Sequence, residues 1–276
     1  MGRGPVPEDS SMLGRHHPLL RRVRALRRDA ALRRSEGLFL AEGIHLAQEA
    51  LSSAARIEAV FFSARLRQFA EGPELLARIR ARDLACHEVD AAALDAAQDA
   101  RSAQPILCLV RHEPLGQPEA AGLLDHASLA VVLEGVQDPG NLGSILRSAD
   151  GAGCDVGLVG DGSADPFHPR AVRATMGSVF RVALLRESSA VALERLRRHG
   201  FRLVGADPHR GTDYDRADLQ GKLAFVFGGE AAGLTDPVRE RLDDLLRIPL
   251  RSGVESLSVA AAAAVLLFEA ARQRRR

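Results

Sequence analysis

Short apolar runs alternate along the chain with segments in which apolar residues recur every three or four positions. A short apolar run is typical of a buried strand, whereas a spacing such as that of Ile44, Ala47 and Leu51 predicts a helix. Up to residue 111 the pattern predicts helices over 18–34, 44–51 and 75–82 and strands over 57–62 and 106–110. This alternation of helices and strands predicts a small α/β unit.

The alternation becomes clearer after residue 127. Strands are expected over 129–133, 156–159, 201–206, 223–227 and 246–248, and helices over 141–153, 168–176, 191–198, 237–242 and from Glu255 onward. Strand and helix in turn predict a mostly parallel sheet flanked by helices. Ligands of such sheets bind beyond the carboxyl ends of the strands, so the loops that follow strands are the candidate sites.

The segment between the two alternating regions contains two prolines and a glycine within 111–118, which predicts a linker. The opening, from Met1 to Ser11, is polar and rich in glycine and proline, so it predicts a disordered tail and not a secretory signal. The expected organisation is therefore a disordered tail over 1–17, a first domain over 18–111, a linker over 112–127 and a second domain over 128–276.

Charge is unevenly distributed along the chain. The 276 residues are 46% hydrophobic and 26% charged, an ordinary globular composition, and the formal net charge is only +1. Between Arg15 and Arg34, however, Asp29 is the single acidic residue. Such a stretch contacts phosphate in many proteins and is a solvated helix face in others, and both interpretations stay open. The candidate phosphate-binding residues are Arg21, Arg22, Arg24, Arg27, Arg28 and Arg33.

The cysteine and hydropathy patterns exclude several classes of protein. Cys86, Cys108 and Cys154 stand far apart without a CxxC pair, which predicts free, packed thiols in a reducing cytoplasm. No His or Cys cluster has metal-ligand spacing, so no metal is expected. The longest apolar run, 257–268, is shorter than the roughly 20 residues that cross a bilayer, so no membrane span is expected.

Three loops after predicted strands carry residues suited to chemistry. The first has Asn141 as the expected N-cap of the next helix and Arg147 nearly two turns into that helix. The second contains paired glycines, which let a ligand approach the backbone closely. The second and third loops contain Gly228-Gly229-Glu230, Ile248-Pro249-Leu250 and Ser256-Leu257-Ser258. Taken singly, each loop also fits a capped helix or a tight turn.

A dinucleotide-binding fingerprint is the obvious rival for an α/β sheet. Gly151-Ala152-Gly153 begins such a pattern, but Val156 occupies the position of the last glycine. The segment also follows a predicted helix, whereas the fingerprint follows a strand. The rival is therefore weak.

The order and content of the three loops together resemble one family. Asp138-Pro139, Asn141, Gly143 and Arg147 come first, Phe227-Gly228-Gly229-Glu230 with Gly233-Leu234 second, and Ile248-Pro249 with Ser256-Leu257 last. This series resembles the SpoU (TrmH) family of RNA 2′-O-ribose methyltransferases, within the SPOUT superfamily. The resemblance covers 128–272 and includes 173–181. Arg33 and 39–43 are similar to the ribosomal-protein-L30e-like substrate-binding domain that many members carry.

The resemblance implies a fold and a cofactor. The fold is an α/β knot over 128–276, with a deep trefoil knot and a mostly parallel sheet, preceded by a small L30e-like α/β domain. The cofactor is S-adenosylmethionine, held by the knotted loops without a metal. Homodimerisation through the knotted domain is implied as well. The implied cofactor-binding residues are Gly228, Gly229, Ile248, Pro249, Leu250, Leu257 and Ser258.

The implied reaction is attack of a ribose 2′-oxygen of structured RNA on the cofactor's methyl group, with Asn141, Arg147, Glu230 and Ser256 as the catalytic set. Arg147 is interpreted as anchoring phosphate and stabilising a developing alkoxide, because a guanidinium is not deprotonated in proteins. Ribosomal RNA, 23S rRNA in particular, is favoured as substrate, with transfer RNA as the alternative. Methylation of a base also stays open.

One position departs from the family pattern. Members usually have Ser-Leu-Asn in the third motif, whereas this chain has Ser256-Leu257-Ser258. An RNA-binding or assembly protein with weakened chemistry is therefore a further alternative. The sequence leaves open which nucleotide is modified and whether the role is housekeeping or antibiotic resistance.

Overall fold

The computed structural model of the chain describes residues 12–99 and 103–275. The chain divides into two compact units between Arg111 and His112. Residues 1–11 of the predicted disordered tail lie outside the described residues. The rest of that tail is ordered, since Leu13 forms a parallel bridge with Val89 and its N–H donates to the carbonyl oxygen of Glu88. The prediction of disorder is therefore wrong for 12–17.

The first unit is a four-stranded mixed sheet with helices. Its elements are α1 Pro18–Arg28, α2 Ala30–Glu36, β1 Leu38–Glu42, α3 Ile44–Ser52, β2 Arg56–Phe62, α4 Gly72–Ala81, β3 Cys86–Glu88, α5 Ala91–Ala97 and β4 Ile106–Arg111. The strand order is β1-β4-β2-β3, with β4 antiparallel to both neighbours and β3 parallel to β2. Leu20, Leu26, Phe61 and Leu94 are fully buried in its core. The expected small α/β unit is thus present.

The basic segment over 18–34 is two helices and not the single one expected. Asp29 has an extended backbone between α1 and α2. Its carboxylate accepts hydrogen bonds from the N–H groups of Ala31 and Leu32, at 2.8 and 3.1 Å. Aspartate is a strong N-cap residue because it satisfies these otherwise unpaired donors, so the chain starts a second helix at this point.

The second unit contains a seven-stranded sheet. Its elements are α6 Gln117–His126, β5 Leu129–Leu133, α7 Pro139–Gly151, β6 Val156–Val159, α8 Pro169–Thr175, β7 Ala183–Arg186, α9 Ser189–Arg198, β8 Arg202–Ala206, β9 Thr212–Asp213, β10 Leu223–Phe227, α10 Asp236–Arg239, β11 Asp244–Arg247 and α11 Val259–Arg274. The strand order is β7-β6-β5-β10-β8-β11-β9, and each neighbouring pair is parallel. The predicted parallel sheet is confirmed, while the trefoil knot stays a prediction.

Both faces of this sheet are covered. In β10, Phe225 and Phe227 pack into one buried cluster with residues of α7 and α11, whereas Ala224 and Val226 pack into another with residues of α6 and α9. Successive side chains of a strand point to opposite faces, so a strand covered on both sides is apolar at every position. This explains why β5 and β10 are continuous apolar runs.

Several predicted boundaries differ from the structure, among them the linker and the start of the last helix. The interval 112–127, predicted as a linker, contains α6, whose Ala120 and Leu124 are buried in the core. The last helix begins at Val259 and not at Glu255, because the hydroxyl of Ser258 accepts a hydrogen bond from the N–H of Ala261 and caps it. Among the described helices, none has the length and apolar character that a bilayer span requires.

Candidate active site

A cavity of about 400 Å³ lies beyond the carboxyl ends of β8, β10 and β11. Its size is within the range of small-ligand sites, and its place in the parallel sheet is where ligands of such sheets bind. Its lining comes from the ends of these strands and the start of α11: Ala206 to His209, Phe227 to Leu234, Arg239, Leu246, Ile248, Leu250, Glu255, Ser256, Leu257, Val259, Ala262 and Leu266.

A tight glycine loop, residues 228–234, forms one wall of the cavity. Gly229 and Gly233 exchange two backbone hydrogen bonds, of 3.1 and 2.9 Å. A Cβ atom added at Gly228 would come closer than 3.0 Å to the backbone of Gly233, and one at Gly229 would come equally close to the carbonyl oxygen of Gly135. The backbone packing around this loop therefore requires glycine at both positions. Gly228 and Gly229 are also two of the cofactor-binding residues that the sequence predicts.

The predicted apolar residues of the third loop lie on the same cavity. Ile248, Leu250 and Leu257 line it together with the predicted catalytic Ser256. Pro249 and Ser258, which are also described, are not among the lining residues. Ser258 caps α11 instead, so the contact of these two residues with a cofactor stays a prediction.

The first loop joins the second through a side-chain hydrogen bond. The amide Nδ2 of Asn141 donates to Oε1 of Glu230 over 2.9 Å, although 89 residues separate them in sequence. The prediction of Asn141 as the N-cap of α7 is wrong, because Asp138 fills that position and accepts from the N–H of Asn141 at 2.9 Å. This backbone hydrogen bond, followed by the charge of Arg170, lowers the pKa of Asp138. The side chain of Asn141 is thereby left available to Glu230.

Arg147 lies apart from the cavity. It is exposed on α7, six residues after Asn141 and so about 9 Å further along the helix. Within the part of the chain that the structure describes, its guanidinium makes no hydrogen bond or ion pair. The structure thus groups Glu230 and Ser256 with several of the predicted cofactor residues, links Asn141 to them, and leaves Arg147 on a solvent-facing surface.

The predicted RNA-binding arginines of the first unit have different environments. Arg21 and Arg28 are exposed. Burial lowers the pKa of Arg24, and the charges of Arg15, Arg21, Arg27 and Arg28 lower it further, which shows that these positive charges are close together. The exposed Arg22 forms an ion pair with Glu36 at 2.6 Å. Arg27 donates to the carbonyl oxygens of Ala96 and Gln98.

Arg33 is the one buried residue among these predicted RNA-binding arginines. Only 4% of it is exposed, and its Nη1 donates to the carbonyl oxygens of Leu26 and Arg27 at 2.6 and 3.0 Å. A guanidinium satisfied in the interior cannot contact RNA, so the prediction for this residue is corrected. Its role is to join α2 to the end of α1.

Sequence reasoning missed several residues of the site. Asp207, His209 and Arg239 line the cavity, and the buried Glu134 accepts a hydrogen bond of 2.9 Å from the hydroxyl of Thr235. A signal for the first of these was available: Asp207-Pro208 follows a predicted strand, as Asp138-Pro139 does. The described residues contain no group of three His, Cys, Asp or Glu side chains that could hold a metal ion.

Comparison with known proteins identifies the family. The model of the SpoU rRNA Methylase family matches residues 128–268, which is half of the chain. The chain belongs to this family. A second family model, the MRM3-like substrate binding domain, matches residues 17–108 and so corresponds to the first unit.

Comparison with individual proteins leads to the same family. The chain is 31% identical over 221 residues to the 23S rRNA (guanosine-2′-O-)-methyltransferase RlmB of Bordetella pertussis, covering 79% of this chain and 88% of that protein. It is 35% identical over 142 residues to the 23S rRNA (guanosine(2553)-2′-O)-methyltransferase RlmP of Bacillus subtilis, covering 51% of this chain and 57% of that protein. The chain thus spans less than two thirds of the length of the Bacillus relative.

One solved structure is similar to this chain over the length of both units. The AdoMet-bound rRNA methyltransferase from Sinorhizobium meliloti matches with a TM-score of 0.79 and 28% sequence identity, over 93% of this chain and 95% of that one. The predicted family is therefore confirmed by the family model, by the relatives and by the fold.

Proposed function

We propose that the chain transfers a methyl group from S-adenosylmethionine to a ribose 2′-hydroxyl of structured RNA. One observation carries the proposal. The cavity that holds the family's cofactor motifs includes Glu230, and Glu230 is hydrogen-bonded to Asn141 on the helix that presents Arg147 to solvent. A cofactor site and a surface for a large substrate are thereby connected, as transfer between two bound reactants requires.

The residues of the cavity fit the proposed cofactor. At Gly228 a side chain would collide with the backbone of Gly233, so the tight loop that lines the cavity depends on glycine there. Ile248, Leu250 and Leu257 supply an apolar surface suited to an adenine ring, and the Glu230 carboxylate can accept from hydroxyl or ammonium donors. When bound, S-adenosylmethionine supplies a methyl group already activated on a sulfonium.

The chain's own residues position the RNA and stabilise charge. The guanidinium of Arg147, which has no partner among the described residues, can bind an RNA phosphate and stabilise negative charge that develops on the 2′-oxygen as its proton passes to water. Asn141 is held by Glu230 and can orient the ribose or Arg147. Ser256 completes the polar set at the cavity.

Ribosomal RNA, 23S rRNA in particular, is the proposed substrate, with transfer RNA as the alternative. The names of the Bordetella and Bacillus relatives specify guanosines of 23S rRNA, and the first unit matches a substrate-binding domain. The test is methyl transfer from labelled S-adenosylmethionine to bacterial RNA that lacks the modification, followed by separation of ribosomal from transfer RNA. Label recovered as a 2′-O-methylnucleoside supports the proposal, whereas label on a base refutes it.

The exposed arginines of the first unit are proposed to contact RNA phosphates. Replacing Arg21 and Arg28 with glutamine should reduce the magnitude of the negative slope of log affinity against log salt by about 1–2, because each phosphate contact releases counterions. RNA binding is measured across a salt series. The matched control replaces Arg80 and Arg82, two exposed arginines of the same unit. An unchanged slope in the first variant would refute the role of this face.

The second candidate function is an RNA-binding or assembly protein with weakened chemistry. It is motivated by Ser258, which stands where members of the family usually have asparagine. Because Ser258 caps α11 and does not line the cavity, Ser258→Asn should alter turnover by less than about threefold. The stability of the Ser258→Asn protein should be nearly unchanged, since asparagine caps helices as well as serine does. Turnover and Tm of the two proteins are compared. A large gain in turnover would show that serine limits the reaction.

A homodimer formed through the second unit is also proposed. Val254, Leu257 and Phe268 are large apolar side chains of this unit that remain exposed in the single chain, and apolar groups of this kind are typical of subunit interfaces. The molecular mass of the protein in solution tests this proposal, since a dimer has twice the mass of one chain.

A cytoplasmic location is also proposed, because the three cysteines are free thiols and a reducing compartment keeps thiols in this state.

A further inference from the structure

Asp207 organises the loop that follows β8, residues 207–211, which we call the β8 loop. The residue is only 9% exposed. Its Oδ1 accepts hydrogen bonds from the N–H groups of His209 and Arg210, both at 2.9 Å. Its own N–H donates to the carbonyl oxygen of Leu246 at 2.9 Å. A single carboxylate therefore shapes the β8 loop, part of which lines the cavity.

Arg239 connects this loop to the glycine loop. Its Nη2 lies 3.4 Å from Oδ2 of Asp207 and also donates to the carbonyl oxygen of Leu234 at 3.3 Å. Its Nε is fully covered and has no hydrogen-bond partner among the described residues. A buried donor without a hydrogen-bond partner destabilises the folded state. The remaining contacts of the guanidinium must therefore offset this cost. Those contacts join two walls of one cavity.

We propose that Asp207 and Arg239 form a positioning pair that fixes the β8 loop against the glycine loop and thereby sets the affinity for the cofactor. The proposal rests on the proposed function, because S-adenosylmethionine is the ligand. The pair lines the cavity, and neither of its residues is among those assigned to the reacting groups. It acts through the loops, and its charges are already satisfied by each other. Neither residue belongs to the three motifs that identify the family.

The experiment uses the full chain and S-adenosylhomocysteine as the titrated ligand. Arg239→Ala should raise the Kd by at least about tenfold, because the two loops lose their common anchor. Arg239→Lys should recover part of this loss, since an ammonium keeps a positive charge near Asp207, but its nitrogen stands one bond short of the position of Nη2, the atom that makes both contacts. Arg241→Ala, which removes an exposed arginine two residues away, is the matched control and should leave the Kd unchanged.

Two further readouts separate positioning from general stability. Asp207→Asn combined with Arg239→Ala should bind no more weakly than Arg239→Ala alone, because residues acting as a unit are not additive. Without ligand, hydrogen exchange at the amides of His209 and Arg210 should be faster in the Arg239→Ala protein. In turnover, KM for the cofactor should rise while kcat at saturation stays within about threefold.

The outcomes distinguish this proposal from the proposed function. If the natural protein binds S-adenosylhomocysteine and Arg239→Ala binds it equally well, the positioning pair is refuted and the function stands. If Arg239→Ala lowers Tm but leaves both the Kd and the loop amides unchanged, the pair has only a structural role and the proposal fails. If the natural protein does not bind the ligand, the proposed function is overturned and the pair with it.

Discussion

Replacing Arg147 with alanine is expected to reduce methyl transfer by about a hundred- to a thousandfold while leaving affinity for the cofactor within about twofold. The magnitude is that found when one preorganised donor to a developing oxyanion is removed. The second half of the expectation follows from the structure. Arg147 is exposed on α7 and does not line the cavity, and none of its contacts supports the lining.

Single-turnover methyl transfer at saturating RNA and titration with S-adenosylhomocysteine measure the two halves separately. Arg198→Ala is the control, because Arg198 is another exposed helix arginine of the same unit and its ion pair with Glu194 is open to solvent. Arg147→Lys should retain part of the activity, since it keeps a positive charge without the guanidinium fork. Turnover of Arg147→Ala comparable to that of the control would refute the proposed role.

The strands of the second sheet were predictable because burial on both faces makes a strand apolar at every position. β5 and β10 meet this condition, and their observed bounds are those predicted. β3 and β7 were not predicted. Cys86–Glu88 is only partly covered and contains a charged residue, and Ala183–Arg186 has only two buried residues, Leu184 and Leu185, before the exposed Arg186, so neither segment forms a long apolar run. The pattern follows burial, so it weakens at the edges of a sheet.

Helix starts were less predictable than the helices themselves. Asp138 and Asn141 can both cap a helix, and the sequence does not say which side chain turns back onto the backbone. In the structure Asp138 accepts from the N–H of Asn141, and this leaves the side-chain amide of Asn141 to donate to Glu230. A similar limit applies to Arg33, which no local pattern distinguishes from the exposed arginines around it.

The three motifs of the candidate site could be assigned from the sequence because the family keeps them in a fixed order. Asp207 and Arg239 could not be assigned in this way. They lie 32 residues apart, each in an ordinary polar setting, and only the pairing of β8 with β10 and β11 brings their loops to one cavity. Long-range contacts of this kind depend on strand order, which periodicity does not contain.

Gly228→Ala is the second change expected to have a large effect. The added methyl group would lie closer than 3.0 Å to backbone atoms of Gly233 and Leu234, and backbone cannot move aside as a flexible side chain does. The glycine loop must therefore shift into or away from the cavity. We expect a loss of stability of about 1–3 kcal/mol, as for other overpacked sites, and a Kd for S-adenosylhomocysteine raised by at least about a hundredfold.

Gly122→Ala is the control that separates this steric effect from the chemistry of the substitution. Gly122 is an exposed glycine of α6, and a Cβ there meets nothing within 4 Å. The same change should therefore stabilise the protein by about 0.5–1 kcal/mol, because alanine loses less entropy than glycine in a helix. Ligand titration and thermal unfolding of both variants measure the difference. If Gly228→Ala bound the ligand as tightly as Gly122→Ala does, the cofactor would not depend on the glycine loop, and the cavity would not be its site.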